Sequence, residues 1–102
     1  MKIVSITYTT PLEFSVQNQQ NILRVMTDLK AANHSGIKYT VCLCADGKTF
    51  KHTAFFKSDK DQLHLNELSS FQNFQTALKG CGLETNIQQE VLTLVGTNHE
   101  IF

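Results

Sequence analysis

Proline occurs once in this chain and glycine five times, too few of either for a loop-rich or disordered polypeptide. An excess of one charge is also missing: nine Lys plus Arg balance nine Asp plus Glu, and the pI is about 6.9. That balance excludes a protein that holds nucleic acid or a membrane surface by bulk charge, and it excludes an acidic tail. No stretch approaches the roughly 18 consecutive apolar residues of a membrane span. Met1 to Pro11 carry one lysine and an apolar run broken by Ser5 and Thr7, without the hydrophobic segment or small-residue cleavage site of an export signal. The three cysteines, Cys42, Cys44 and Cys81, are odd in number, which fits free thiols in a reducing cytoplasm better than a disulfide framework. What is present is one core's worth of hydrophobic residues, 41% of 102, and a single domain over 1–102 is expected.

Residues 2–9 mix Ile3, Val4, Ile6 and Tyr8 with Ser and Thr, a strand composition. Pro11 ends that run. Ser15 is placed to cap a helix from about Val16 to Ala32, in which Ile22, Met26 and Leu29 recur at helical spacing, and Gly36 is available for a left-handed stop. Ile37–Cys44 and Thr49–Phe56 flank Asp46-Gly47, the preferred pair for a tight primed turn. Pairing Ala45 with Lys48 sets Leu43 opposite Phe50, Val41 opposite His52 and Tyr39 opposite Ala54. One face of this hairpin then carries Tyr39, Val41, Leu43, Phe50, His52, Ala54 and Phe56.

Ser58-Asp59-Lys60-Asp61 has the form of a capping box, and a helix through Leu63, Leu65 and Leu68 should follow. Ser69 with Gln72 offers a second box, so the helix is expected to bend and restart there, burying Phe71, Phe74, Ala77 and Leu78. Residues 86–96 read as a last strand. The resulting order, βαββαβ, is the ferredoxin-like arrangement: α+β, a four-stranded antiparallel sheet in the order 4-1-3-2 with the helices on one face. The other face is left without cover. Apolar neighbours such as Ile3 with Val4, Phe55 with Phe56 and Val91 with Leu92 put hydrophobic side chains on both sides of the sheet, and exposed apolar patches usually mark an interface. A two-fold homodimer packed through the sheet face is therefore expected, with Ile101 and Phe102 contributing.

The stretch Phe55-Phe56-Lys57-Ser58-Asp59-Lys60-Asp61, followed by Leu65 and Phe71-Gln72-Asn73-Phe74, resembles the dimeric α+β barrel superfamily, in its antibiotic-biosynthesis monooxygenase branch. The shared pattern is an aromatic strand end, a polar helix cap, and a kinked helix with two aromatics three residues apart. Where many members carry a histidine six residues before the first phenylalanine, this chain has Leu65, with His64 one place away. The resemblance implies cofactor-independent oxidation or rearrangement of a small aromatic or polyketide-like molecule. The alternative is a non-catalytic ligand-binding or interaction domain of the same fold.

His52, on the apolar face of the hairpin, is the candidate catalytic residue: it can orient or deprotonate a phenolic substrate or bond a ligand carbonyl. The bland alternative is a neutral histidine bonded to a backbone carbonyl or to Tyr8. Tyr8, Tyr39, Phe50, Phe56, Phe71 and Phe74 are the candidate ligand-binding residues, although aromatics at these periods also serve simply as core. His34, His64 and His99 read as solvated. Cys42-Leu43-Cys44 lacks a second ligand pair, so no metal site is expected. Lys48 to Phe55 echoes an RNA-binding octapeptide at three positions and departs from it at three others, and the chain has no basic surface, which argues against nucleic acid. No phosphate loop, nucleophile elbow or zinc-protease motif occurs, and no cofactor is implied.

Overall fold

The computed structural model describes residues 1–102. The β-branched N-terminal run forms β1 (Lys2–Thr9), followed by α1 (Leu12–Ala32), β2 (Ile37–Leu43), β3 (Thr49–Phe56), α2 (Asp59–Glu67), α3 (Ser69–Gly80) and β4 (Thr85–Leu92). All strand pairs are antiparallel, in the order β2-β3-β1-β4, which is the expected 4-1-3-2 read from the other edge. Leu43 faces Phe50, Val41 faces His52 and Tyr39 faces Ala54, as the sequence register requires. Val4, Tyr8, Phe50, Ala54 and Phe56 meet Ile22 and Val25 of α1 and Leu65, Phe71, Phe74 and Leu78 of α2 and α3 in the core.

Several local details differ from expectation. The connection between β2 and β3 is a four-residue loop rather than a two-residue primed turn: Gly47 N–H donates to Cys44 O at 3.0 Å, and Cys44 pairs with Thr49. Asp46 prefers this form because its carboxylate accepts from Lys48 N–H, Thr49 N–H and the Thr49 hydroxyl. Helix α1 begins at Leu12, with Pro11 at the cap position, where its fixed φ suits a helix start. Ser15 therefore lies inside the first turn, and its hydroxyl donates to Gly47 O at 2.6 Å, tying α1 to the hairpin loop. The left-handed stop is Asn33 (φ 50°) and not Gly36.

The capping box at Ser58 forms as expected, with the Ser58 N–H and hydroxyl both donating to Asp61 Oδ2, at 2.9 and 2.7 Å. The second box does not: Leu68 occupies the cap position of α3, and Gln72 Nε2 reaches back to Asn66 O at 3.2 Å. Gly36 is small for a steric reason, since a Cβ there would overlap the Asp61 carboxylate. Gly36→Ala should therefore displace Asp61 and lose the box, costing about 1 kcal/mol in urea denaturation. In an Asp61→Ala background the same change should cost close to nothing, because the obstructing carboxylate is gone; equal losses in both backgrounds would refute the coupling.

Strand β4 ends at Leu92, four residues short of the expected boundary. The remaining tail turns back so that Leu94, Thr97 and Ile101 lie opposite Lys38, Thr40 and Phe55 on the face away from the helices. That face is apolar only around Ile3, Phe55 and Leu92, which are cross-strand neighbours; Ser5, Thr7, Thr53, Gln88 and Glu90 make the rest of it polar. The helices leave β4 uncovered, and all eight of its residues are exposed. Val91 is 64% exposed although it shares the helix side with its buried partner Val4.

Candidate functional site

Because side chains alternate along a strand, β3 points Phe50, His52, Ala54 and Phe56 toward the helices. His52 sits between the two neighbouring strands and takes one hydroxyl from each. Tyr8 Oη of β1 lies 2.7 Å from Nε2, and Tyr39 Oη of β2 lies 2.7 Å from Nδ1. Behind Tyr8, Asn18 of α1 donates from Nδ2 to the same hydroxyl oxygen at 2.9 Å. The four groups form one continuous chain across the core, and His52 is only 2% exposed.

Burial governs the ionisation of this chain. It lowers the His52 pKa to about 4, since an imidazolium there would be stripped of water. Burial also raises both tyrosines well above the usual phenol range; for Tyr8 the Asn18 hydrogen bond partly opposes the rise. All three groups are neutral near pH 7.

Beside His52 lies a cavity of about 230 Å³. Val4, Ile6, Ala54 and Leu65 form its apolar walls together with Tyr39, Phe56 and Phe71. Four carboxamides, Gln62, Asn66, Gln75 and Gln89, join His52 and Tyr39 as its polar lining; no charged residue lines it, and Lys2 Nζ stands behind Gln62, donating to its Oε1 at 3.0 Å. Cavities for drug-sized ligands run from roughly 300 Å³ upward, so this one suits a molecule of one or two rings.

Of the residues singled out in the sequence, the structure brings His52, Tyr39, Phe56 and Phe71 to the cavity. Tyr8, Phe50 and Phe74 stand behind it. Tyr8 stacks on Phe50 at a centroid distance of 5.6 Å, and Phe74 lies 5.6 Å from the His52 ring. These three are packed core, and Tyr8 in addition is the Nε2 partner of His52. Sequence reasoning missed Asn18 and the four carboxamides. Asn18 carried a usable signal: Ser15, Asn18, Ile22 and Val25 share one buried helical stripe.

His34 and His64 are not simply solvated, as had been expected. Their rings stack at 4.3 Å, with His34 Nδ1 3.5 Å from Asp61 Oδ1. His99 is exposed in the tail. The three cysteines are free, and His, Cys, Asp and Glu nowhere gather into a group of three or more suited to a metal ion. No helix is long and apolar enough to cross a membrane.

No protein-family model and no curated protein matches the sequence. Solved structures do match, along nearly the full chain. A protein of Nitrosomonas europaea, provisionally assigned as an antibiotic biosynthesis monooxygenase, superposes with a TM-score of 0.78 at 9% identity, over 94% of this chain and 100% of that one. A similarly assigned protein of Deinococcus radiodurans gives 0.74 at 15% identity, over 98% of each chain. A variant of SnoaB, a cofactor-independent oxygenase of Streptomyces nogalater, gives 0.69 at 14% identity, over 97% of this chain and 98% of that one. The chain thus has the ferredoxin-like α+β fold of these antibiotic biosynthesis monooxygenase structures. At these identities the likeness establishes the fold and leaves the chemistry to the site.

Proposed function

We propose that this protein binds a small, uncharged, oxygen-bearing aromatic molecule beside His52 and oxidises it with dioxygen without a resident cofactor. The observation that carries this reading is the cavity without charged lining residues, bordered by a Tyr-His-Tyr chain that engages both ring nitrogens of His52. The fold shared with SnoaB, itself a cofactor-independent oxygenase, supports it. His52 is better suited to hold the Tyr8 and Tyr39 hydroxyls in place than to deprotonate a substrate. Both ring nitrogens are engaged, and a pKa of about 4 makes it a weak base at pH 7.

An electron-rich phenol that loses its hydroxyl proton to solvent passes electrons to dioxygen directly, and that proton is recovered in the water formed. For 1-naphthol, one dioxygen yields 1,4-naphthoquinone and one water: one oxygen atom becomes the new ring carbonyl, and the other leaves with the phenolic and ring hydrogens. The expected result is saturable binding of 1-naphthol and oxygen uptake equimolar with quinone. Binding without uptake would favour the non-catalytic ligand carrier instead. An absence of binding by 1-naphthol and related two-ring phenols would remove the site reading altogether.

The reading includes a homodimer. An edge strand exposed along its whole length, with Val91 and Leu92 in it and Leu94 and Val95 just beyond it presented to water, is a poor end state for a monomer. A second copy packed over β4 and the open face would cover them. Gln89 belongs both to this strand and to the cavity lining, so the partner would stand close to the mouth. Light scattering should give twice the 11.5 kDa chain mass, and Val91→Asp with Val95→Asp should give the monomer. A wild-type monomer across a wide concentration range would refute the dimer. The three free thiols support a reducing, cytoplasmic setting.

A further inference from the structure

Hydrogen bonds have direction, and in the chain through His52 that direction follows from its far end. Asn18 is fully buried and lies outside the cavity lining. Its Nδ2 donates to Tyr8 Oη, while its Oδ1 is buried with no partner. Native interiors seldom tolerate such an orphaned acceptor, so a polar residue here calls for a reason that a leucine would not satisfy.

A phenol carries one hydrogen. With Asn18 donating to Tyr8 Oη, the Tyr8 hydrogen has His52 Nε2 as its acceptor. The neutral imidazole must then carry its own hydrogen on Nδ1 and donate it to Tyr39 Oη. Tyr39 has received its hydrogen bond from the protein, and no protein acceptor takes its own hydrogen. That hydrogen is available to the cavity that Tyr39 lines. With Asn18 Nδ2 on Tyr8 Oη, the reverse direction would have Tyr8 accept from both Asn18 and His52, leaving its hydrogen without an acceptor in the core.

We propose that Asn18 is a positioning residue that holds His52 in the Nδ1–H form and thereby makes Tyr39 a hydrogen-bond donor to the cavity. The site then selects ligands that place a carbonyl or phenolate oxygen against Tyr39. A donated hydrogen bond at that point stabilises negative charge on a substrate oxygen, which is what oxidation of a phenol requires. The selectivity rests on the cavity being a ligand site, as proposed above; the direction of the chain does not.

Two-bond proton–nitrogen correlation spectra of the full chain, labelled with nitrogen-15 in histidine, test the direction first. The expected spectrum shows His52 protonated at Nδ1 and bare at Nε2. An Nε2–H form in the wild type overturns the proposal whatever binds. Asn18→Asp puts only acceptor oxygens beside Tyr8 Oη, so the Tyr8 hydroxyl should turn to it and drive His52 to the Nε2–H form, whereas an unchanged pure Nδ1–H form in that variant overturns the role of Asn18. Because the wild-type spectrum alone decides the direction, a misfolded variant does not shield the proposal.

Selectivity is tested with 1,4-naphthoquinone, which only accepts hydrogen bonds, against naphthalene, which does neither. Tyr39→Phe should weaken the quinone about fivefold and leave naphthalene unchanged. Equal effects on both would overturn the donor role. If neither probe binds the wild type, the ligand-site reading falls and takes the selectivity with it, while the tautomer spectrum still decides Asn18.

Discussion

Replacing Phe50 with alanine is expected to remove about 3–5 kcal/mol of stability, a large part of the roughly 5–15 kcal/mol that a domain has. Phe50 is 1% exposed near the hairpin end of the inner strand β3, opposite Tyr8 on one side and Leu43 on the other. Its ring is the surface on which Tyr8 stacks. Neighbours on two strands and a long helix cannot collapse into the void, because each is fixed by its own backbone ladder. The loss should also loosen Tyr8, and through it the acceptor at His52 Nε2. Urea denaturation checks the magnitude. Phe55→Ala, one residue position from buried Phe56 but on the partly exposed opposite face, is the internal control and should cost clearly less. A loss below about 1 kcal/mol at Phe50 would mean that it walls an adaptable space and belongs with the ligand-binding residues after all.

Phe50 also illustrates what the sequence can disclose. The hairpin register was legible because Asp46-Gly47 centres the loop: a two-residue turn closed by Ala45 and Lys48 and the observed loop closed by Cys44 and Thr49 set the same partners, Leu43 with Phe50 and Val41 with His52. The Ser58–Asp61 box was legible because both partners are local. Ser15 and Ser69 have the same local look, yet one bonds the hairpin loop 32 positions away and the other caps nothing. Capping by side chains competes with tertiary partners that no short window contains. The order of elements followed from periodicity, but the division of the aromatics did not. Phe56 and Phe50 sit on the same face of the same strand, and only the placement of α2 and α3 decides which of them borders open space. The carboxamide lining was hidden for a related reason: Gln62, Asn66 and Gln75 fall among other polar residues of their helices, where composition alone reads them as a solvated surface.

Lowering the pH should destabilise the protein in a window set by His52. Its pKa is about 4 in the folded chain against an ordinary value of 6.5. Between those limits the unfolded chain takes up a proton that the native one refuses, so stability falls with falling pH; it is fully present above pH 6.5 and fully lost below about 4. The gap is worth about 3 kcal/mol. No compensating acid is at hand, because the groups around the ring are Tyr8, Tyr39, Phe74 and the uncharged cavity lining. Asp46 and Asp61, held below the usual carboxylate range by hydrogen bonds from Thr49 and Ser58, stay ionised through this window and add their losses only below it. His52→Gln isolates the effect: an amide still offers a donor and an acceptor to the two tyrosines but cannot titrate. Urea midpoints for both proteins between pH 7 and 4 should therefore diverge, the wild type falling more steeply and losing about 3 kcal/mol relative to the variant. Parallel curves would mean that water or a conformational change solvates the imidazolium. The Tyr-His-Tyr chain would then be too open to hold a single direction, and its influence on the cavity would be lost as well.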